Sequence, residues 1–253
     1  MSSGSGRSVL VTGASRGIGA AAARAFAAAG DRVAVHYGRR ADRAEEVLAS
    51  LPGEAHVSVG AELADPDAVR RMVDGAADAL GGIDVLVNNA GIFEAHPVTE
   101  TSYDDWQRAW RRTLDVNLVG AANVTWCAVR HMVERGGGHV VNVSSRGAFR
   151  GEPSHPAYGA SKAGLVSFTQ SLAQALGPHA IYVTAVAPGF TDTDMAAEYL
   201  TGDQLEQRRA ESPLGRIATA DEVAAAIVFL ASPAAEMASG TVLDVNGASF
   251  LRM

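Results

Sequence analysis

The chain has one lysine; its other twenty basic residues are all arginine. It has one cysteine, Cys127, which excludes a disulfide within the chain and points to a reducing, cytoplasmic setting. No apolar run reaches the ~18 residues a membrane-crossing helix needs. Positive charge is also scarce. Lys and Arg total 21 against 28 Asp and Glu, and the net charge of −7 gives no reason to expect nucleic acid or an anionic membrane as partner. The seven histidines are scattered and no His-Glu-x-x-His occurs, so no metal site is expected. The polar start, Met1 to Gly6, lacks the apolar segment of a signal peptide.

What is present fits one large α/β domain: 253 residues, 47% hydrophobic, 27 of them glycine. Residues 1–7 are expected to be a flexible tail and residues 8–253 a single domain. Short apolar runs read as strands at Ser8 to Thr12, Arg32 to Tyr37, Ala55 to Val59, Gly82 to Val87, His139 to Val143, Ile181 to Val186 and Val242 to Val245. Helical segments lie between them: Ala20 to Ala29, Ala41 to Ser50, one opened by Asp65-Pro66, Leu114 to Arg135, Pro156 to Leu176, and a last one capped by Asp221 and ending at Leu230. This alternation predicts a doubly wound, Rossmann-type parallel sheet of about seven strands with helices on both faces. Ligands bind such sheets outside the carboxyl ends of the strands. The long polar stretch that follows Thr193 and runs to Thr219 is the candidate for a mobile substrate lid.

The single lysine is Lys162, four residues after Tyr158. On a helix both side chains share a face, and a fixed ammonium near a phenol favours the phenolate. That is a way to make a tyrosine useful in proton transfer. A compact ammonium is not replaceable by a planar guanidinium, so one lysine kept among arginines suggests a fitted site.

A second signal lies at the chain start. The strand Ser8 to Thr12 runs into Gly13-Ala14-Ser15-Arg16-Gly17-Ile18-Gly19 and then an alanine-rich helix. Strand, glycine turn and helix form the context of a dinucleotide site, with the helix N-terminus facing the pyrophosphate. An NAD site usually carries an acid at the end of the second strand. Here Gly38-Arg39-Arg40 stands there, which favours NADP(H) over NAD(H). Arg16 lies close to the same ribose, and Arg39 or Arg40 would complete the grip on the 2′-phosphate.

Thr12 to Gly19, Asn88-Asn89-Ala90-Gly91, Asn117, Ser145, Tyr158-x-x-x-Lys162 and Pro188-Gly189 together resemble the short-chain dehydrogenase/reductase family. The resemblance runs from Ser8 to Gly247 and is nearest to the 3-oxoacyl carrier-protein reductases. It implies a catalytic set of Asn117, Ser145, Tyr158 and Lys162. Tyr158 would protonate the carbonyl oxygen. Lys162 would lower the tyrosine pKa and hold the nicotinamide ribose. Ser145 would bond the substrate oxygen, and Asn117 would anchor a water leading from Lys162 to solvent. The cofactor would be held at the glycine turn by Gly13, Ser15, Arg16, Gly17, Ile18 and Gly19. Further contacts would come from Arg39, Glu62 and Leu63, from Asn89, Ala90 and Gly91, from Tyr158 and Lys162, and from Pro188, Gly189, Thr191 and Thr193.

The chain departs from the family pattern at three places. Glu62 stands where an Asp is usual, Thr101 to Arg112 is longer and allows an altered surface loop, and Asn246-Gly247-Ala248 has one glycine where two are common. The resemblance also implies a homotetramer. Leu165, Phe168, Leu172, Phe250 and Leu251 could serve its interfaces or the core. An acyl carrier protein is a candidate partner, met near Arg135 and His179. Arg146, Phe149, Arg150, His155 and Phe190 to Tyr199 would border the substrate pocket. The expected activity is NADPH-dependent reduction of a ketone, with a 3-oxoacyl thioester as the leading substrate and a polyketide, a sugar or a simple secondary alcohol as the alternatives. A catalytically dead dinucleotide sensor is disfavoured by the intact proton-transfer set.

Overall fold

The structure, a computed structural model, describes residues 6–193 and 202–252. Its centre is a seven-stranded sheet. The strands are β1 (Ser8–Val11), β2 (Arg32–Tyr37), β3 (Val57–Gly60), β4 (Val85–Asn88), β5 (Gly138–Val143), β6 (Ile181–Pro188) and, after two short strands, β9 (Val242–Val245). Their order is β3-β2-β1-β4-β5-β6-β9. Every neighbouring pair is parallel. The order reverses between β1 and β4, which opens a crevice at their carboxyl ends.

Parallel strands covered on both faces need apolar residues at every position, and β1 and β4 are buried throughout. Alternate residues feed two cores. Val9 and Val11 pack with Phe26 and Ile227 on one face, where α1 (Gly17–Ala28) lies. Leu10 and Leu86 pack with Met72, Val124 and Met132 on the other, under α3 (Pro66–Leu80) and α5 (Ala121–Arg135). Asp65 caps α3 as its sequence suggests, accepting from the amides of Asp67 and Ala68 at 2.9 and 3.0 Å.

Several local expectations are corrected. Thr101 to Arg112 is not a loop: Ser102 accepts from the Asp105 amide and starts α4 (Tyr103–Leu114). The helix anticipated over Leu114 to Arg135 is interrupted by a π-helical turn, Asp115–Gly120, which carries Asn117. The last helix, α9 (Ala220–Leu230), is capped by Thr219 rather than Asp221. Thr219 and Glu222 form a reciprocal capping box.

The polar stretch after Pro188 is not structureless either. It contains β7 (Thr191–Asp192), α8 (Asp203–Ala210) and β8 (Ala218–Thr219), and β7 pairs with β8. The proposed pocket border from residue 194 to Tyr199 lies outside the described residues. Leu165 is core, 1% exposed, and Leu172 packs against the second core cluster.

Candidate active site

A cleft of about 710 Å³ runs along the carboxyl ends of the strands, from Arg39 and Arg40 at one end to Tyr158 and Glu152 at the other. Its floor is the glycine turn. Gly13 adopts φ +63, and a Cβ there would lie 2.8 Å from the Ala90 Cα. Only glycine allows β1 and β4 to end this close together. A Cβ on Gly19 would meet Gly13 O at 2.4 Å and Asn89 Nδ2 at 2.5 Å. Gly19 therefore packs α1 against the turn instead of lining the cleft. Asn89 fixes the neighbouring strand end by donating to the carbonyls of Thr12 and Gly13 at 2.9 and 3.1 Å.

Most of the anticipated cofactor residues do line the cleft. Gly13, Ser15, Arg16, Gly17 and Ile18 border it at the turn, and Arg39, Glu62 and Leu63 at the adenine end. Asn89, Ala90 and Gly91 form one wall, and Pro188, Gly189, Thr191 and Thr193 the other. No side chain of the described residues caps α1, so the amides of its first turn face an anion without a competitor. Arg39 Nε pairs with Glu62 Oε1 at 2.7 Å, while Arg40 pairs with Asp42. Arg40 makes two hydrogen bonds to its partner and Arg39 one, and both border the cleft.

One residue here escaped the sequence reading. His36, on β2 and 2% exposed, accepts from the Gly13 amide at Nδ1 (2.9 Å) and contacts Ala61 O through Nε2 (3.0 Å). Accepting at Nδ1 and donating at Nε2 requires the neutral ring. Burial holds its pKa down to about 4. His36 ties the glycine turn to the end of β3. In the sequence it is only one residue of an apolar strand.

At the inner end, α7 (Pro156–Leu176) is docked on the end of β5. Ser144 Oγ donates to Lys162 O at 3.0 Å, and Lys162 Nζ donates to Val143 O at 2.8 Å. Tyr158 and Lys162 share a face, with Nζ 5.7 Å from the phenol ring centre. Burial pushes the Tyr158 phenol up to about 12; its hydrogen bond with Ser145 acts in the opposite sense, and the Glu152 charge adds to the rise. The expected depression of the phenol by Lys162 is not the outcome. The lysine is turned to a carbonyl, and burial pulls its own pKa down to about 8. The phenol is therefore held as an acid.

Asn117 is 1% exposed and lies behind the cleft. It accepts from the Ile92 amide at 2.8 Å and donates to Ile92 O at 3.0 Å and to Ser161 Oγ at 3.2 Å. The π-turn aims it at these partners, a common use of such turns. A Cβ on Gly91 would stand 3.3 Å from Asn117 Oδ1 and 3.5 Å from Lys162 Nζ, so the missing side chain leaves both atoms bordering one space.

The substrate end is charged. Arg146, Glu152 and Phe190 line it, whereas Phe149, Arg150 and His155 stand outside the lining. Arg146 is almost fully buried, and its guanidinium pairs with Glu211 and donates to Ser249 Oγ at 2.7 Å. Glu211 also takes Arg150 and Arg208. Arg146 and Arg208 both lie against the Phe190 ring, with 5.0 and 4.4 Å from guanidinium carbon to ring centre. Phe93, not anticipated either, meets the Tyr158 ring edge-on at 4.7 Å and stacks on His155 at 3.6 Å. Among the described residues no cluster suited to a metal ion occurs, and no helix is long and apolar enough to cross a membrane.

Known proteins resemble this chain in sequence and fold. Residues 13–248 match the family model described as enoyl-(acyl carrier protein) reductase. L-rhamnose 1-dehydrogenase (NAD(P)(+)) of Azotobacter vinelandii is 42% identical over 98% of both chains. A 3-oxoacyl-(acyl-carrier-protein) reductase of Aquifex aeolicus is 38% identical over 97% of this chain and 98% of its own. A short-chain dehydrogenase from Burkholderia cenocepacia J2315, solved in complex with NADP, superposes with a TM-score of 0.85 at 39% identity, covering 96% of this chain and 97% of its own. Fold and relatives together define an NAD(P)-dependent oxidoreductase acting on CH–OH or C=O groups. The chain belongs to the short-chain dehydrogenase/reductase family.

Proposed function

We propose that the enzyme interconverts a small polar secondary alcohol and its ketone, using NADP(H), with Tyr158 as the proton-transfer group. The observation that carries this reading is the contact of the Ser145 hydroxyl with a phenol held up at about 12, at the inner end of the cleft. In reduction, Ser145 and Tyr158 donate to the carbonyl oxygen, and Tyr158 gives up its proton as the alcohol forms. A nicotinamide dinucleotide bound in the cleft supplies or accepts the hydride. The first-turn amides of α1 would hold its pyrophosphate, and Arg16 and Arg39 a 2′-phosphate. Lys162 orients the site from below through Val143 O, and Asn117 fixes the segment at Ile92 that borders it. The direct test is NADPH oxidation with a panel of ketones, and NADP⁺ reduction with the matching alcohols. Inactivity on every compound with either cofactor contradicts the proposal.

A carrier-bound 3-oxoacyl thioester is the second reading, supported by the Aquifex aeolicus relative. Two features favour a small polar substrate instead. Arg135, a candidate contact for an acidic carrier, is paired with Asp84 at 2.8 Å. The substrate end is lined by the half-buried Glu152, whose carboxylate an acyl chain would desolvate without return. The Azotobacter vinelandii relative, named for a sugar substrate, agrees with this choice. For assembly, a homotetramer is proposed. On α5, Trp126 is 61% exposed and Val133 44%, which suits cover by a second copy. A monomer mass by light scattering contradicts it.

A further inference from the structure

Glu152 stands apart from the other charged groups at the substrate end. Its neighbour Glu211 is hydrogen-bonded by Arg146, Arg150 and Arg208. Those same arginines act on Glu152 only through their charge, and no donor among the described residues hydrogen-bonds its carboxylate. The carboxylate is nonetheless seated. It lies in a notch left by a glycine on the short helix α6 (Gly147–Arg150). A Cβ on Gly147 would stand 2.6 Å from Glu152 Oε1 and 2.7 Å from its Cγ. A second glycine, Gly159, faces the Glu152 backbone at 3.5 Å. Gly159 directly follows Tyr158, so the notch and the phenol sit on adjoining residues. Glu152 lines the same cleft as Ser145 and Tyr158, and its charge is felt at the phenol.

A half-buried carboxylate beside the reacting oxygen offers acceptors only. A substrate that buries it without offering a donor pays its desolvation. A hydroxyl meets the need, an acyl chain does not, and a substrate carboxylate would be repelled. We infer that Glu152 determines specificity by accepting a hydrogen bond from a second hydroxyl of the substrate, near the reacting carbon. The pocket then takes polyols and sugars. This rests on the alcohol–ketone reading above and narrows it.

The test compares alcohols that differ by one hydroxyl: cyclohexanol against cis-cyclohexane-1,2-diol and cis-cyclohexane-1,3-diol, with NADP⁺. The wild-type enzyme should favour at least one diol by roughly tenfold or more in kcat/KM, the size expected for one hydrogen bond to a charged acceptor. Glu152→Gln should lower that preference, and Glu152→Ala should bring it within about threefold of unity. Gly147→Ala keeps the carboxylate but displaces it, and should lower the preference too. A merely structural role would slow the diols and cyclohexanol alike. NADPH binding, followed by fluorescence, reports that each variant is folded. A wild-type preference below about twofold, or one unchanged in Glu152→Ala, overturns the inference. Turnover confined to 3-oxoacyl thioesters or to hydroxyl-free ketones also overturns it, while leaving the alcohol–ketone reaction standing. No turnover on any compound removes the reaction itself, and the inference with it.

Discussion

Two sides of the Tyr158 end of the cleft, an inner and a substrate side, are held by different forces. The inner side is held by hydrogen bonds to the backbone: Asn117, Ser144, Ser161 and Lys162 are buried and joined to backbone groups. The substrate side is ionic, with Arg146 and Arg150 from a distant part of the chain and the nearby Arg208 gathered on Glu211. Buried hydrogen bonds fix geometry and tolerate little change, because an orphaned partner keeps its full desolvation cost. The partly exposed Arg150 and Arg208 pairs contribute little each and can be exchanged, whereas the buried Arg146 cannot lose its partner cheaply. If, as proposed, the inner side carries the reaction and the substrate side the choice of substrate, variants should separate the two.

Lys162→Arg should give the largest effect. The ammonium is 3% exposed and bonds Val143 O, so a guanidinium has no room there despite its equal charge. Turnover is expected to fall by ~10²-fold or more, as when a proton-transfer site is misaligned. Steady-state kinetics at saturating cofactor measures it, and wild-type turnover would break the contrast between the two sides.

His36 extends the contrast to pH. Burial lowers its pKa in the fold to about 4, from 6.5 for a free imidazole. The unfolded chain takes up a proton that the folded one refuses. The stability contributed by the neutral ring is full above about pH 6.5 and is lost as pH falls towards about 4. Between pH 7 and pH 5 this amounts to about 2 kcal/mol. Urea midpoints should show that His36→Gln loses about that much less over the interval than the wild type. Equal losses would mean that the ring is not held neutral.

Cofactor choice comes next in size. Gly38 has room for a side chain, its nearest neighbour to an added Cβ being Ala61 O at 4.0 Å. Gly38→Asp should repel a 2′-phosphate and move the NADPH-to-NADH ratio of kcat/KM by about tenfold towards NADH. Glu62→Gln should move it the other way, because Arg39 is then released from its partner. An unchanged ratio in both variants would contradict an Arg39 phosphate site.

The smallest effect concerns a departure visible in the sequence. Ala248 adopts φ +58 immediately after Gly247 at φ +59. An L-residue pays for the left-handed region, so Ala248→Gly should stabilise the protein by about 1 kcal/mol, reduced by the greater freedom of glycine when unfolded. Thermal melting reads this directly, and a lower melting temperature would contradict the strain.

The inner end was legible in the sequence because its chemistry comes from short motifs on regular elements. Tyr158 and Lys162 are one helical turn apart, and the glycine turn follows a strand. Even there, the sign of the phenol shift was misjudged. Spacing shows that two side chains share a face but not how deeply they are buried. The substrate end was largely illegible. Arg146, Glu211 and Ser249 meet across 65 and 103 residues. His36 and Glu152 carry no motif, and both depend on glycines elsewhere: Gly13 supplies an amide to one, and Gly147 leaves space for the other. The π-turn at Asn117 was hidden for a similar reason, since it follows from tertiary bonds to Ile92 and Ser161.

The most direct measurement is single-turnover reduction of an active ketone by the Tyr158→Phe enzyme, with NADPH affinity determined on the same sample. The phenyl ring keeps the packing against Phe93 and removes only the hydroxyl that meets Ser145. The account predicts NADPH affinity within about threefold of wild type and a rate lower by ~10²–10⁴-fold. A rate above a tenth of wild type, or a loss confined to cofactor binding, would contradict Tyr158 as the proton donor.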